Sequence, residues 1–285
     1  MGTGLAVASA SCLPVETITD LSPTFFLEVL KAMIPLVLAN IYAVGVNQLY
    51  DIEIDKANNK HLPIASGVFS AESAKAILWT VTLLSLSMGI MSQSSAILCG
   101  VLACLIYGTI YSVDLPYLRW KRDPILTAVC LGFWRGIGSF IPFFIHSQKY
   151  ILGKPIIITK SLIFASVVMA LHGIAVATFK DVPDVDGDKE NGIATSSTKL
   201  GRERAFSFGI SILLIAYGLG VIMGVSSSSS LLFKLITILG HSGMAAVLLL
   251  HSRTVDLIDQ LSTQSFYMFI WKLVYAEYLL LPFVR

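Results

Sequence analysis

Charge is what this sequence has least of. Asp, Glu, Lys and Arg make up 13% of its 285 residues, where a soluble domain carries roughly 25%. A net charge of +2 with no long basic run provides no nucleic-acid-binding surface. Cysteine is also sparse. Cys12, Cys99, Cys104 and Cys130 lie in apolar stretches and form no CxxC pair. This argues against a disulfide framework or a zinc site, and buried packing is the ordinary fate of such residues. Low-complexity sequence is confined to Ser226–Ser230, read as a turn between two apolar runs. No targeting segment precedes the first apolar run. Met1 leads almost directly into Gly4–Ala10, so that run reads as a span shortened at its start.

What is abundant is apolar surface, at 55% of residues. A helix that crosses a bilayer needs about 20 mainly apolar residues. Runs of this kind fall at 3–15 (short), 24–46, 73–92, 95–113, 124–145, 157–179, 205–225, 230–250 and 265–283. The predicted fold is an all-α, multi-span transmembrane bundle of about nine helices, forming one intramembrane domain over 1–285. The loops differ sharply. Those at 47–70, 114–122, 180–204 and 251–264 hold eleven Lys and Arg, while the opposite loops hold only Lys149 and Lys154. Alternating crossings put all four basic loops on one face, the cytoplasm-equivalent one.

Both acidic motifs lie on that face. The first runs from Asn47 through Asp51 to Asp55, four residues apart at each step. Continued as a helix, these side chains stack on one face, with Asn40 two turns below. The second is Lys180–Asp188, with Asp181, Asp184 and Asp188 spaced by three and four. Pro183 and Gly187 argue that the helix kinks or ends there. One motif follows the second span and the other the sixth, so an internal pseudo-repeat of four spans is a fair reading. Such carboxylates repel one another near hydrocarbon. Oxygen donors of this kind suit Mg2+, which shares its remaining positions with substrate phosphates. A pair of solvated loops that merely contain acids is the blander alternative.

Asn-Gln-x-x-Asp-x-x-x-Asp and Lys-Asp-x-x-Asp-x-x-Gly-Asp, placed after the second and sixth spans, resemble the paired signatures of the UbiA superfamily of intramembrane prenyltransferases. The stretches NQLYDIEIDK, LPIASG, YGTIYSVDLPYLRWKR and KDVPDVDGDK look specifically like the plant homogentisate phytyltransferase group, which includes relatives that prenylate phenols and flavonoids. The resemblance covers nearly the whole chain. It implies a helical bundle around a central cavity, a plastid membrane and Mg2+. It also implies an isoprenoid diphosphate donor drawn from the lipid bilayer and a phenolic acceptor. On this reading Asn47, Asp51, Asp55, Asp181, Asp184 and Asp188 hold metal, and Asp51, Asp55, Asp184 and Asp188 carry the chemistry. Lys121 and Arg122 are the favoured diphosphate contacts, joined by Lys180 and Lys60, with positive-inside anchoring as the alternative.

Three further residues are candidates for the acceptor. Arg135 lies inside the fifth span and is expected to face a cavity or a partner. His172 lies eight residues before Lys180, roughly on its face, and reads equally as a helix-packing histidine. Tyr111 stands near the basic segment. Phe133, Trp134, Phe140, Phe143, Phe144 and Phe179 are candidate walls of an isoprenoid pocket, where aromatic faces stabilise a cation. The expected reaction is magnesium-dependent C-prenylation through an allylic cation. Transfer to a non-phenolic acceptor, an ion or proton transporter, and an inactive shortened isoform are the alternatives.

Overall fold

The computed structural model describes residues 2–58, 60–190, 194–227 and 230–285, and among them every regular element is helical. Helix α1 is Gly2–Cys12, α2 Pro23–Tyr50, α3 Ile52–Asn58, α4 Ala71–Met91, α5 Ser95–Ser112, α6 Pro124–Phe133, α7 Ile141–Ile145, α8 Lys160–Lys180, α9 Val185–Glu190, α10 Ser196–Leu200, α11 Arg202–Ser226, α12 Leu231–Ser252 and α13 Gln260–Leu280. Local chemistry sets the starts of the long helices. Side-chain oxygens of Ser22, Ser70, Ser94, Asp123, Thr159 and Asp259 each accept from a backbone N–H in the following turn. These bonds satisfy donors that a helix terminus would otherwise leave bare in or near lipid.

Eight stretches are long and apolar enough to cross a membrane. They match the second to ninth expected spans. The expected first span is the 11-residue α1, too short to cross. It is nonetheless part of the bundle, since Ala6, Val7 and Ala10 are fully buried. The fifth span is longer than its apolar pattern indicated. It continues to Ile151 through π-helical turns at Trp134–Gly138 and His146–Ile151. Residues 228–229 of the expected serine turn lie outside the described residues.

Lipid provides little hydrophobic drive between helices, so close packing of small residues holds such bundles together. A Cβ placed on Gly136 would run into the Ser166 carbonyl oxygen, and one on Gly108 would come within 2.7 Å of Ala43 Cα. The first contact presses the π-helical turn against α8, and the second presses α5 against α2. Many apolar side chains meanwhile face outward, including Trp79, Leu83, Ile222 and Leu239, each more than 60% exposed. That outward apolar band is what a bilayer covers. The helix ends at residues 50, 112, 180 and 252 share one face, and the loops there surround the mouth of a central cavity.

Candidate active site

The cavity has a volume of about 1100 Å³ and draws its wall from α1, α2, α3, α5, α6, α8, α9 and α13 and the segments beside them. Asn47, Asp51 and Asp55 line it, as do Asp181, Asp184 and Asp188. Two motifs more than 120 residues apart in sequence thus meet at one mouth. Each acidic motif forms where a membrane helix breaks and a short helix restarts.

The first motif is not the unbroken helical ladder its spacing predicts. Helix α2 ends at Tyr50 and α3 begins at Ile52, with Asp51 between them in non-helical geometry. A helix-like bond from Asp55 N–H to Asp51 O, at 2.8 Å, still spans the break, so all three side chains keep to the cavity side. The break turns Asp51 toward the 114–122 loop. Its carboxylate pairs with Arg119 at 3.2 Å and with Lys121. All three side chains are nearly enclosed, at 10–13% exposure. Burial lowers the pKa of Lys121, and the Asp51 carboxylate partly offsets that. Arg119 sits at φ 59 and Tyr117 at φ 67, left-handed conformations that non-glycine residues rarely adopt. Such strain clusters where a structure must aim a side chain. Here it aims Arg119, which also pairs with Asp114.

The second motif is built differently. Helix α8 stops at Lys180, and α9 starts at Val185 beyond Pro183. Pro183 therefore marks a true break. Gly187 lies inside α9, where an added Cβ would meet nothing. Asp181 and Asp188 are each 7% exposed. Lys180 reaches Asp181 at 3.6 Å and donates to the Tyr111 hydroxyl at 3.5 Å. Gln260 donates to Asp184 at 3.5 Å. Burial raises the pKa of all three acids. For Asp188 it combines with the Asp181 and Asp184 charges to push the value to about 6. Asp186 points elsewhere and pairs with Arg202 at 2.8 Å.

This chemistry fits a cation that arrives with an anionic ligand. No three His, Cys, Asp or Glu among the described residues form a closed metal cage. Magnesium usually binds through one or two carboxylates, keeps several waters and takes phosphate oxygens. Crowded oxygen donors that repel one another around an open mouth suit that partnership. Asn47, Asp55, Asp181, Asp184 and Asp188 are the donors placed for it. Arg119, Lys121 and Lys180 stand among them and carry N–H groups of the kind that bond phosphate oxygens.

The other expected residues separate. Tyr111 and Arg135 line the cavity. Arg122 lines its rim but is 63% exposed and pairs with Asp114 at 3.2 Å. Lys60 is exposed and outside the lining. His172 is fully buried away from the cavity. Its Nδ1 lies 2.9 Å from the Val168 carbonyl, and its ring meets Tyr217 edge-on. Of the six aromatics expected to wall the chamber, only Trp134 does so. Phe133 is exposed, while Phe140, Phe143, Phe144 and Phe179 fill the core between helices. The aromatic wall comes largely from α13 instead, through Tyr267, Trp271, Tyr275 and Tyr278, with Tyr107 stacked on Trp134 at 5.2 Å. The α13 residues follow a 4-4-3 spacing that marks one helix face, a signal present in the sequence. Arg119 gave no such signal, because its backbone conformation aims it.

A helical membrane bundle whose acidic and basic mouth opens into an aromatic chamber has room for a charged head group at the mouth and an apolar group within. Residues 3–273 match the UbiA prenyltransferase family, and the chain belongs to it. It is a prenyltransferase and an integral membrane protein. It is 44% identical over 285 residues to a coumarin 8-geranyltransferase from Citrus limon, covering 100% of this chain and 70% of that one. It is 43% identical over 284 residues to a homogentisate geranylgeranyltransferase from Hordeum vulgare, covering 100% of this chain and 69% of that one. Its fold is that of a UbiA homologue from Archaeoglobus fulgidus bound to DMAPP and Mg2+, with a TM-score of 0.65 at 16% identity. That match covers 100% of this chain and 96% of the other.

Proposed function

We propose that this chain, acting as a single intramembrane domain in a plastid membrane, transfers an allylic prenyl group from an isoprenoid diphosphate to a carbon of a phenolic acceptor. The observation that carries the reading is the meeting of two acidic motifs and a strained basic loop at one cavity mouth. The relatives named for coumarin and homogentisate, and others named for naringenin and glycinol, support an aromatic acceptor.

Asn47, Asp55, Asp181, Asp184 and Asp188 would hold Mg2+, with Asp51 joining them as its cationic partners turn to the donor. Bound Mg2+ would neutralise charge on the diphosphate oxygens and so assist its departure. Arg119 and Lys121 hold Asp51 before the donor binds. Their N–H groups then bond the diphosphate oxygens, which carry more negative charge as the C–O bond breaks. Lys180 donates from the opposite side. Tyr107 and Trp134 line the chamber, where aromatic rings stabilise the allylic cation and keep water from quenching it. After the ring carbon attacks, a motif carboxylate accepts the proton lost from that carbon. The acids stand at the ends of spans, not within broken helices at mid-membrane as transporter sites do.

The test combines membranes carrying the chain with dimethylallyl, geranyl or phytyl diphosphate, a panel of phenols, and Mg2+ or EDTA. Product should appear only with magnesium and an aromatic acceptor. Wild-type turnover by Asp51→Ala and Asp184→Ala would remove the motifs from the mechanism.

A further inference from the structure

Every charged residue of the described cavity lining belongs to the mouth, except Arg135. It stands eleven residues past Pro124, where α6 begins. At 1.5 Å per residue this is about 16 Å in, near the middle of a hydrocarbon core about 30 Å thick. Trp271 stands eleven residues into α13, counted from the same face. The two meet at that depth, the guanidinium lying 4.4 Å from the Trp271 ring centroid.

A charge at this depth is costly and marks function when it faces a cavity. The surroundings of Arg135 do not neutralise it. One terminal nitrogen donates to the Tyr278 hydroxyl at 3.1 Å, Nε is buried with no partner, and no described carboxylate forms an ion pair with it. Its position is also held firmly. It lies in the π-helical turn Trp134–Gly138, whose Gly136 is pressed against the α8 backbone. Inserted turns of this kind occur frequently at functional sites. An apolar isoprenoid tail gains nothing from a fixed cation, and an allylic cation is repelled by one. The remaining participant in the proposed reaction is the acceptor.

We propose that Arg135 binds the deprotonated phenol oxygen of the acceptor and so selects acidic phenols as substrates. The inference rests on the prenyl-transfer reading above. The phenol O–H gives its proton to water at the mouth, and the oxygen keeps the electron pair beside the guanidinium. Its negative charge enriches the ring carbon next to it. That carbon forms the new C–C bond to the allylic carbon as the diphosphate leaves with the C–O electron pair. The ring carbon then releases its own proton to a carboxylate at the mouth. Trp271 and Tyr278 fix the guanidinium, and the ring lies against the aromatic wall.

The test uses the full chain in detergent with Mg2+ and geranyl thiodiphosphate, an unreactive donor analogue. The probe is 7-hydroxycoumarin, whose phenol and phenolate forms absorb at different wavelengths and which carries no carboxylate. In the wild type the bound probe should ionise about one pH unit below the free probe, a tenfold shift toward phenolate. Arg135→Met should abolish the shift while changing affinity for the donor analogue less than about twofold. Arg135→Lys should retain part of it. Tyr278→Phe leaves the charge in place but loosens it, and should reduce the shift; this variant serves even if Arg135→Met does not fold. A shift that survives in a folded Arg135→Met protein, or its absence from the wild type, overturns the proposal. A wild type that binds the donor analogue but no phenol also overturns it and leaves prenyl transfer standing. Failure to bind the donor analogue overturns both.

Discussion

The two acidic motifs share composition and position but differ in electrostatic state. In the first, Asp51 is already matched by Arg119 and Lys121 in an enclosed triad. In the second, three acids crowd together with Lys180 as the nearby cation, and Asp188 is raised to about 6. The first motif is ordered before any ligand arrives, because its counter-charges are side chains. The second holds repulsion that Lys180 offsets only in part and that a bound cation would relieve. The pseudo-repeat visible in the sequence thus hides two different starting states, one with cations already seated beside Asp51 and the other with acids crowded against one another.

The comparison is broken most strongly through catalysis. Asp184→Asn or Asp188→Asn should lower turnover on the order of 10²–10³-fold, the loss seen when one preorganised electrostatic group is removed. Magnesium titrations should show the half-saturating concentration rising in these variants. An unchanged magnesium response would place the metal elsewhere.

Stability should separate the motifs by sign. Asp51→Asn leaves Arg119 and Lys121 enclosed without a counter-charge and should cost about 3 kcal/mol, as breaking a buried pair does. Asp188→Asn removes a repelled carboxylate and should stabilise the metal-free protein by about 1–2 kcal/mol at neutral pH. Thermal unfolding in detergent with EDTA measures both, and shifts of the same sign would erase the distinction.

The pH dependence follows from the same group. The folded-state pKa of Asp188 is raised from 3.8 to about 6. Its contribution is therefore fully present below about pH 4 and is lost as pH rises through about 6. The metal-free protein should lose stability across that window, Asp188→Asn should lose less, and Mg2+ should restore most of the difference. Melting temperatures at several pH values test this.

The smallest effects belong to the rim. Lys60→Ala and Arg122→Ala should change turnover less than about threefold. Lys60 lies outside the cavity lining, and the exposed Arg122–Asp114 pair contributes about 0–1 kcal/mol. Arg119→Ala, from the same loop, should cost far more. Equal losses would deny the strained loop its role in aiming Arg119.

Much of this was readable in one dimension. Apolar run lengths placed nine spans, of which the second to ninth are long enough to cross, because hydrocarbon requires every backbone group to be satisfied inside a helix. Acid spacing and loop charge placed both motifs on one face. Other features were not readable. The phenylalanines of the fifth span looked like chamber walls, yet Phe140, Phe143 and Phe144 pack inward among helices. Apolar side chains carry no mark of whether they meet another helix or a substrate. His172 faced the same ambiguity, and its ring lies buried against Tyr217, outside the cavity lining. Arg119 was passed over for Arg122, because spacing does not reveal a left-handed backbone turn.

By itself, then, the sequence determined that this chain lives in a bilayer, that its acids gather on one side, and that their oxygen-rich chemistry suits magnesium and phosphate. These follow from composition and period, which are local properties. Only the tertiary structure decided which cations reach which acids, which aromatics wall the chamber, and that Arg135 stands at mid-depth without an acidic partner among the described residues. Those depend on helix breaks at Asp51 and Asp181, on a π-helical turn and on close glycine contacts. Each sets a direction in space that residue order alone does not encode.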